Sequence, residues 1–399
     1  MNILFLFQRF SFESSTIYLD LVRECADRGH RVYILAGSSE QESDGVKEAY
    51  GCRICYVKLP DQFKSGKIKK GLVQLLIEPI FLNVLKKNLW QERIDLIAYP
   101  TPPITLSGVV RAAKKHYGAV SYLMLKDIFP QNAADLGMMN KISPVFLYFR
   151  LVEKALYKIS DHIGCMSPAN IEYMRKYNPE TSQKLELFPN SVKIKPLEDR
   201  SDDVGFYPKE GPVSFVLGGN LGKPQAIGFI LKLIDTLCRE DFRGACFTII
   251  GTGTEQKRVE AFFNEKKPFN ACFHENLPRE EYERLLMDQE VGIISLSPDF
   301  TIPNFPSRLL SYMQMAKPVL VLTDKNTDIG RIVCGAGFGF YASSDDVKGA
   351  AELVKEVCKR RSELAEMGLR GREYLKDNYD VQQSADILER AAGLDKKCQ

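Results

Sequence analysis

Two stretches of this sequence carry residue types able to grip linked phosphates. The first is Gly218-Gly219-Asn220-Leu221-Gly222-Lys223-Pro224-Gln225, where an apolar run, Val213–Leu217, gives way to glycines. Glycines let the main chain approach a ligand closely. The amides of such a turn, with the positive end of a helix expected from about Gln225, favour an anion. The second is Pro306-Ser307-Arg308, at an expected helix start, with Asn304 before it and Ser311 one turn beyond. A guanidinium can hold a diphosphate through paired hydrogen bonds. A cation in a first helical turn opposes the helix dipole, and a bound anion removes that conflict. The plain alternatives are tightly packed glycines and a solvated arginine.

Further residues could complete such a site. Gly251 and Gly253 lie in a turn after one expected strand, and Asn276 and Leu277 in a turn after the next. Three such turns at successive strand ends form one rim, which suits a base and its ribose. The GK[ST] ending of a Walker loop and the GxGxxG of a dinucleotide site are both missing, which argues against an NAD-linked dehydrogenase. In the first half, Lys126-Asp127 follows a strand and precedes a proline loop. A carboxylate there could take a proton from an acceptor hydroxyl or hold it, with Lys126 near donor phosphate. A turn or helix cap is the structural alternative for Asp127. Gln8–Ser15, after the first strand, should line the acceptor side.

These residues need a scaffold, and the alternation of short apolar runs with helical patterns predicts one. Expected strands in the first half are Asn2–Phe7, Arg31–Ala36, Ile54–Leu59, Leu96–Tyr99, Ala119–Leu125, His162–Met166 and Leu185–Phe188. Ser14 or Ser15 should cap a helix whose apolar stripe is Tyr18, Leu21, Val22 and Cys25. Residues 193–212 are polar and rich in Pro and Gly, and read as a linker. The alternation then restarts with Val213–Leu217, Cys246–Ile250, Ala271–Phe273, Val291–Ser295 and Val319–Leu322, and the chain is helical after Asp345. The prediction is an α/β chain of two tandem Rossmann-like, doubly wound domains, 1–195 and 196–379, with a cleft between them. A last helix within 380–399 should pack back on the first domain.

With 399 residues the chain exceeds what one core usually supports. Its 45% apolar and 26% charged residues are ordinary globular composition. A net charge of +3 gives no case for nucleic acid. The ten cysteines follow no disulfide framework, and the four histidines form no close pair. A reduced, cytoplasmic protein without a metal is the simplest reading. Cys52 and Cys55 make a lone CxxC whose surroundings alternate like a strand. No run approaches the roughly 20 apolar residues of a membrane span. Lys64–Lys70 with the apolar run 72–90 suits either an anionic membrane surface or a sheet-flanking helix behind a basic loop. Phe146–Leu151 is a second, shorter candidate.

Several motifs together are similar to a known family. Pro306-Ser307-Arg308-Leu309-Leu310-Ser311-Tyr312-Met313, ending in Ala316-Lys317-Pro318-Val319, resembles the P-S-K-x-x-E-Y-M-A-x-G-x-P-V donor motif of family-four (GT-B) glycosyltransferases. Gly219-Asn220-Leu221-Gly222 with Gln225 resembles their glycine-rich donor loop. Lys126-Asp127-Ile128-Phe129-Pro130-Gln131 with Asp135-Leu136-Gly137 resembles a stretch of members in capsule and O-antigen assembly, N-acetylfucosaminyl transferase-like ones among them. Glu153, Tyr157, Asp161 and Ser167 fit a further pattern of that group. The family's paired glutamates fall at Pro303 and Ser311, and its commoner Arg and Lys of the donor loop at Asn220 and Gln225.

The resemblance implies sugar transfer from a UDP-linked donor, for instance an N-acetylated amino sugar, to a lipid-diphosphate-linked saccharide at the cytoplasmic face of the inner membrane. Gly219, Asn220, Gly222, Lys223, Gln225, Pro306, Ser307 and Arg308 would hold the diphosphate. Gly251, Gly253, Asn276 and Leu277 would frame the nucleoside, with Asn304 and Ser311 beside them. Asp127 and Lys126 would act from the acceptor side. A UDP-sugar 2-epimerase and a catalytically silent partner subunit are the alternatives.

Overall fold

The computed structural model describes residues 1–13, 17–38, 44–59, 67–197, 210–275, 277 and 279–394, and of 67–75, 279, 280 and 283 the backbone alone. The chain divides into two units, Met1–Lys193 with Asp380–Gln399, and Ile194–Tyr379.

In the first unit eight strands form one sheet. They are β1 (Asn2–Phe7), β2 (Arg31–Gly37), β3 (Gly45–Ala49), β4 (Cys52–Val57), β5 (Leu96–Pro100), β6 (Val120–Leu125), β7 (His162–Cys165) and β8 (Leu185–Leu187). Their order is β3-β4-β2-β1-β5-β6-β7-β8, and β3 alone runs antiparallel, on β4 at the edge. Central strands of a parallel sheet are covered on both faces and therefore read as unbroken apolar runs. Ile3–Phe7, Leu96–Tyr99 and Tyr122–Leu125 are such runs, all buried. β3 was not anticipated. Its residues are exposed almost throughout, so its sequence carries no apolar period. Cys52 and Cys55 are buried thiols within β4, as the strand reading of the CxxC requires.

The helix Leu19–Asp27 buries Leu19, Leu21, Val22 and Cys25, while Ser14 and Ser15 lie outside the described residues. The helix Val381–Ala391 belongs to this unit and packs on Leu19–Asp27. Arg28 joins them, donating to the Asp386 carboxylate at 2.6 Å and to the Gln382 carbonyl at 2.8 Å. The helix Lys67–Asn88 turns one described apolar stripe inward and leaves Leu76 exposed. Ile77, Phe81 and Leu85, with Leu89 beyond, form a stripe at spacing four that is wholly buried. Lys64 lies outside the described residues. No helix among the described residues is long and apolar enough to cross a membrane.

The second unit is an all-parallel sheet of β9 (Val213–Gly218), β10 (Ala245–Ile250), β11 (Ala271–His274), β12 (Val291–Ser295), β13 (Val319–Thr323) and β14 (Gly339–Ser343). The order is β11-β10-β9-β12-β13-β14. Phe215 and Phe247 stack at 5.2 Å between rings on neighbouring strands. The helix Ile227–Arg239 buries Ile230, Leu233, Ile234 and Leu237 against the same core. The strand order reverses between β9 and β12. In open parallel sheets that reversal opens a crevice beyond the carboxyl ends of the two strands, where ligands bind.

Candidate functional site

The loops beyond β9, β10, β12 and β13 are tied into one rim. The Gly219 amide donates to the Ile250 carbonyl at 2.9 Å, and the Leu221 amide to Thr252 at 2.8 Å. The Gly251 amide donates to His274 at 3.0 Å, which joins the end of β11. The Ser297 amide donates to Pro224 at 2.8 Å, drawing in the loop after β12. The Asn304 amide donates to the Thr327 hydroxyl at 3.2 Å, and Thr327 is held by Asp324 after β13.

Two glycines make this closeness possible. Gly251 has φ +144°, and a Cβ there would stand 1.8 Å from the Gly219 carbonyl oxygen. Gly219 has φ +110°, a region that side chains rarely enter. The glycine turns therefore serve loop-on-loop packing, and two of the amides expected to face a phosphate are already spent on carbonyls. The Gly222 amide is spent as well, on the Gln225 side-chain oxygen at 3.2 Å. The helix also starts later than anticipated. Lys223–Gln225 is a single tight turn, Ala226 takes a left-handed conformation (φ 47°), and the helix runs from Ile227. Asn220 and Lys223 are exposed and Gln225 is half-buried.

Arg308 closes the rim. It is the first residue of the short helix Arg308–Gln314, and a Cβ on Gly219 would lie 3.4 Å from its Nη2. Tyr312, one turn later, fixes that helix to β9. Its hydroxyl donates to the Val216 carbonyl at 3.1 Å and accepts the Gly218 amide at 3.4 Å. Arg308 Nη1 is buried and has no hydrogen-bond partner among the described residues. An orphaned guanidinium donor is costly unless something satisfies it, and an anion would. Ser307 stands at the N-cap position but its side chain makes no capping bond. Ser311 is exposed one turn from Arg308, with Ser307 exposed and Pro306 and Asn304 half-buried.

Tyr282, on the helix Arg279–Asp288, was not singled out in the sequence. A Cβ on Gly218 would come within 2.3 Å of its hydroxyl, and the Arg308 charge acts on it. Burial still pushes this phenol up. Ser295, at the end of β12, has a buried hydroxyl without a partner among the described residues. Nothing in the pattern of either segment marked these residues, because only the fold brings them to the strand ends. Leu277 is half-buried; Asn276 lies outside the described residues.

In the first unit, Lys126 and Asp127 follow β6. The Thr101 hydroxyl, just beyond β5, accepts both their amides, at 3.1 and 3.2 Å, and donates to the Asp127 carbonyl at 2.8 Å. One side chain thus sets the loop. Lys126 Nζ donates to the Phe188 carbonyl at 3.2 Å and lies 5.0 Å from that ring's centre. Burial draws its ammonium down to about 7. No hydrogen bond or ion pair reaches the Asp127 carboxylate from the described residues, and burial pushes it up to about 6. A carboxyl poised there can exchange a proton near neutrality.

Four further motif residues of this unit, Glu153, Tyr157, Asp161 and Ser167, are bonded within it. On the helix Pro144–Ile159, Glu153 is fully buried, paired with Arg150, and accepts the Tyr157 hydroxyl at 2.5 Å. Asp161 accepts the Ser121 amide at 2.9 Å, and Ser167 caps the helix Pro168–Tyr177.

No family model matches the chain. It is 25% identical to a probable glycosyltransferase, WbjE, of Pseudomonas aeruginosa over 327 residues, 81% of this chain and 80% of that one. Among solved structures, sucrose-phosphate synthase from Thermosynechococcus elongatus superposes with a TM-score of 0.76 at 15% identity, covering 98% of both chains. HepE of Anabaena, in complex with UDP, superposes with a TM-score of 0.67 at 15% identity, covering 99% of this chain and 100% of that one. HepE is also known in complex with UDP-glucose. The fold is the GT-B fold, two parallel-sheet Rossmann-like domains in tandem.

Proposed function

We propose that this chain is a glycosyltransferase that takes its sugar from a UDP-linked donor held by the second unit. The observation that carries the reading is Arg308, lodged against Gly219 at the strand-order reversal with one guanidinium nitrogen unpartnered. A nucleoside diphosphate supplies what that nitrogen lacks, and the leaving diphosphate gains charge as the glycosidic bond to it breaks. A preset guanidinium stabilises that charge more than it stabilises the ground state. The similarity to WbjE supports a glycosyltransferase, and the UDP complexes of HepE support a UDP-linked donor.

In the narrower form of the proposal, the acceptor is a lipid-diphosphate-linked saccharide at the cytoplasmic face of the inner membrane, the donor is an N-acetylated amino sugar, and the product enters a surface polysaccharide. No metal takes part. Gly219, Asn220, Gly222, Lys223, Gln225, Pro306, Ser307 and Arg308 surround the diphosphate. Gly251, Gly253, Asn276 and Leu277 frame the nucleoside, with Asn304 and Ser311 near the sugar. Asp127 takes or holds the proton of the acceptor hydroxyl, and Lys126 keeps that loop in place through Phe188.

A panel of nucleotide sugars tests this, read as thermal shift and as nucleotide released with a lipid-linked acceptor. UDP and a UDP-sugar should raise the melting temperature, and UDP release should require the acceptor. Interconversion of free UDP-sugars would replace the proposal with the epimerase. Binding without turnover would replace it with the silent subunit, whose basis is Pro303 and Ser311 in place of the paired glutamates.

A further inference from the structure

The helix Pro144–Ile159 and the loop before it leave an apolar surface uncovered. Its inward face is ordinary: Phe146, Phe149, Leu156 and Tyr157 are buried in the first unit. The opposite face should then be polar, and over its first half it is not. Ile142 is 83% exposed, Leu151 68% and Met138 60%. Val145, Leu147 and Tyr148 are exposed between them. A helix apolar all round is normally buried, and large exposed apolar patches mark contact surfaces.

The loop holds these side chains out by design of its hydrogen bonds. The Ile142 amide donates to the Asn140 side chain at 3.0 Å, and the Ser143 hydroxyl donates to the Asn140 carbonyl at 2.7 Å. Ser143 then caps the helix through the Phe146 amide at 3.2 Å. Ile142 is presented from a fixed turn.

Further along, the same face becomes basic. Leu147, Leu151, Lys154 and Lys158 lie in one line at spacings of four, three and four, which keeps them on one stripe. Lys154 lies 3.9 Å from Glu180, with both side chains about half exposed. Lys141 flanks the apolar loop, its ammonium 3.2 Å from the buried Asp135 carboxylate. The surface is therefore an apolar tip followed by a stripe that bears two lysines, with Glu180 beside the first of them.

We propose that this tip docks on a phospholipid bilayer carrying anionic headgroups. Apolar side chains at the loop and first turns enter the acyl boundary, and Lys154 and Lys158, about one to two turns further along, meet headgroup phosphates. The charge pattern favours a bilayer over a second copy of the chain, because the stripe itself, Leu147, Leu151, Lys154 and Lys158, carries two lysines and no carboxylate, and the acidic group beside it, Glu180 on the turn Pro179–Lys184, stands against Lys154. The inference goes beyond the donor reading and does not depend on it.

The test is co-sedimentation of the full chain with vesicles of phosphatidylcholine alone, or of phosphatidylcholine mixed with phosphatidylglycerol. UDP binding and sedimentation velocity are measured on the same samples. Wild type should bind the mixed vesicles more than the neutral ones. The triple variant Ile142→Ser, Leu147→Ser, Leu151→Ser should bind roughly tenfold or more weakly. Lys154→Glu with Lys158→Glu should remove the preference for the anionic lipid. Phe269→Ser, at a half-exposed apolar residue of the second unit, should change nothing. UDP affinity should be the same throughout, which separates this proposal from that of the donor site. The proposal is overturned if wild type ignores both vesicles, if the triple variant binds as wild type does, or if Phe269→Ser weakens binding equally. It is also overturned if the triple variant turns a dimer into a monomer without altering vesicle binding.

Discussion

Arg308 Nη2 sits over Gly219 so closely that a methyl group in the glycine's place would touch it at 3.4 Å. The pair lies where β9 and β12 part, with Tyr312 pinning the arginine's helix to β9. Arg308→Ala should remove one or two charge-assisted bonds to the donor diphosphate. We expect UDP binding to weaken by about 1.5–3 kcal/mol, with little change in melting temperature without ligand. Isothermal titration with UDP measures it, and an affinity equal to wild type takes Arg308 out of the site.

Gly251 offers a sharper steric test. A Cβ there would meet the Gly219 carbonyl oxygen at 1.8 Å, and the backbone is already at φ +144°. Strain of that kind costs on the order of 1–3 kcal/mol before the clash is counted. Gly251→Ala should lower the melting temperature and abolish UDP binding in whatever remains folded. Gly335→Ala, at the end of a helix with nothing within 4 Å of the new Cβ, should match wild type or exceed it slightly. Equal melting of both variants would contradict the packed-loop account.

The scaffold was legible because buried parallel strands announce themselves. Val213–Leu217 and Val291–Ser295 can only be covered on both faces, and the glycines after the first of them mark a strand end. The edge strand Gly45–Ala49 was not legible, since an exposed strand has no apolar face to repeat. In the site, Arg308 could be chosen from its place in a proline-led helix start. The consumption of the Gly219, Leu221 and Gly222 amides could not, because their partners are a strand away or on a side chain. Tyr282 and Ser295 were missed for the same reason. The Glu153 and Tyr157 pattern was visible but ambiguous, and burial assigns it to the core of its unit.

That buried pair gives its own prediction. Glu153 is satisfied by Arg150 and Tyr157, and Arg150 in turn donates to Asn178 at 2.7 Å. Glu153→Ala strands the guanidinium and the phenol together. Loss of one partner from such a group costs about 3–5 kcal/mol. Denaturant unfolding followed in the first unit should show it, while UDP affinity measured well below the transition stays near wild type.

The Asp127 carboxyl supplies a pH test. Burial holds it up at about 6, so it is protonated below that pH and able to accept a proton above it. If it serves as general base, kcat/KM should rise with pH up to about 6 and then level. Asp127→Asn should flatten that limb and cut turnover by roughly 100-fold or more, with UDP affinity unchanged. An acid limb that survives in Asp127→Asn belongs to another group.

Thr101 separates positioning from chemistry. Its single hydroxyl accepts the amides of Lys126 and Asp127 and donates to the Asp127 carbonyl, so it uses all the bonds a hydroxyl has. Thr101→Val keeps the shape and leaves three main-chain groups without that partner. We expect a stability loss of about 1–3 kcal/mol, a lower kcat and an unchanged KM for the donor, because only the placement of the carboxylate is disturbed. Thr101→Ser restores the hydroxyl and should recover most of the turnover. The acid limb should stay near pH 6 in Thr101→Ser and shift in Thr101→Val, where the loop is free to hydrate the carboxyl and draw it back toward its ordinary value. A Thr101→Val enzyme that loses stability yet keeps both its kcat and its pH profile would show that this loop is held for folding alone.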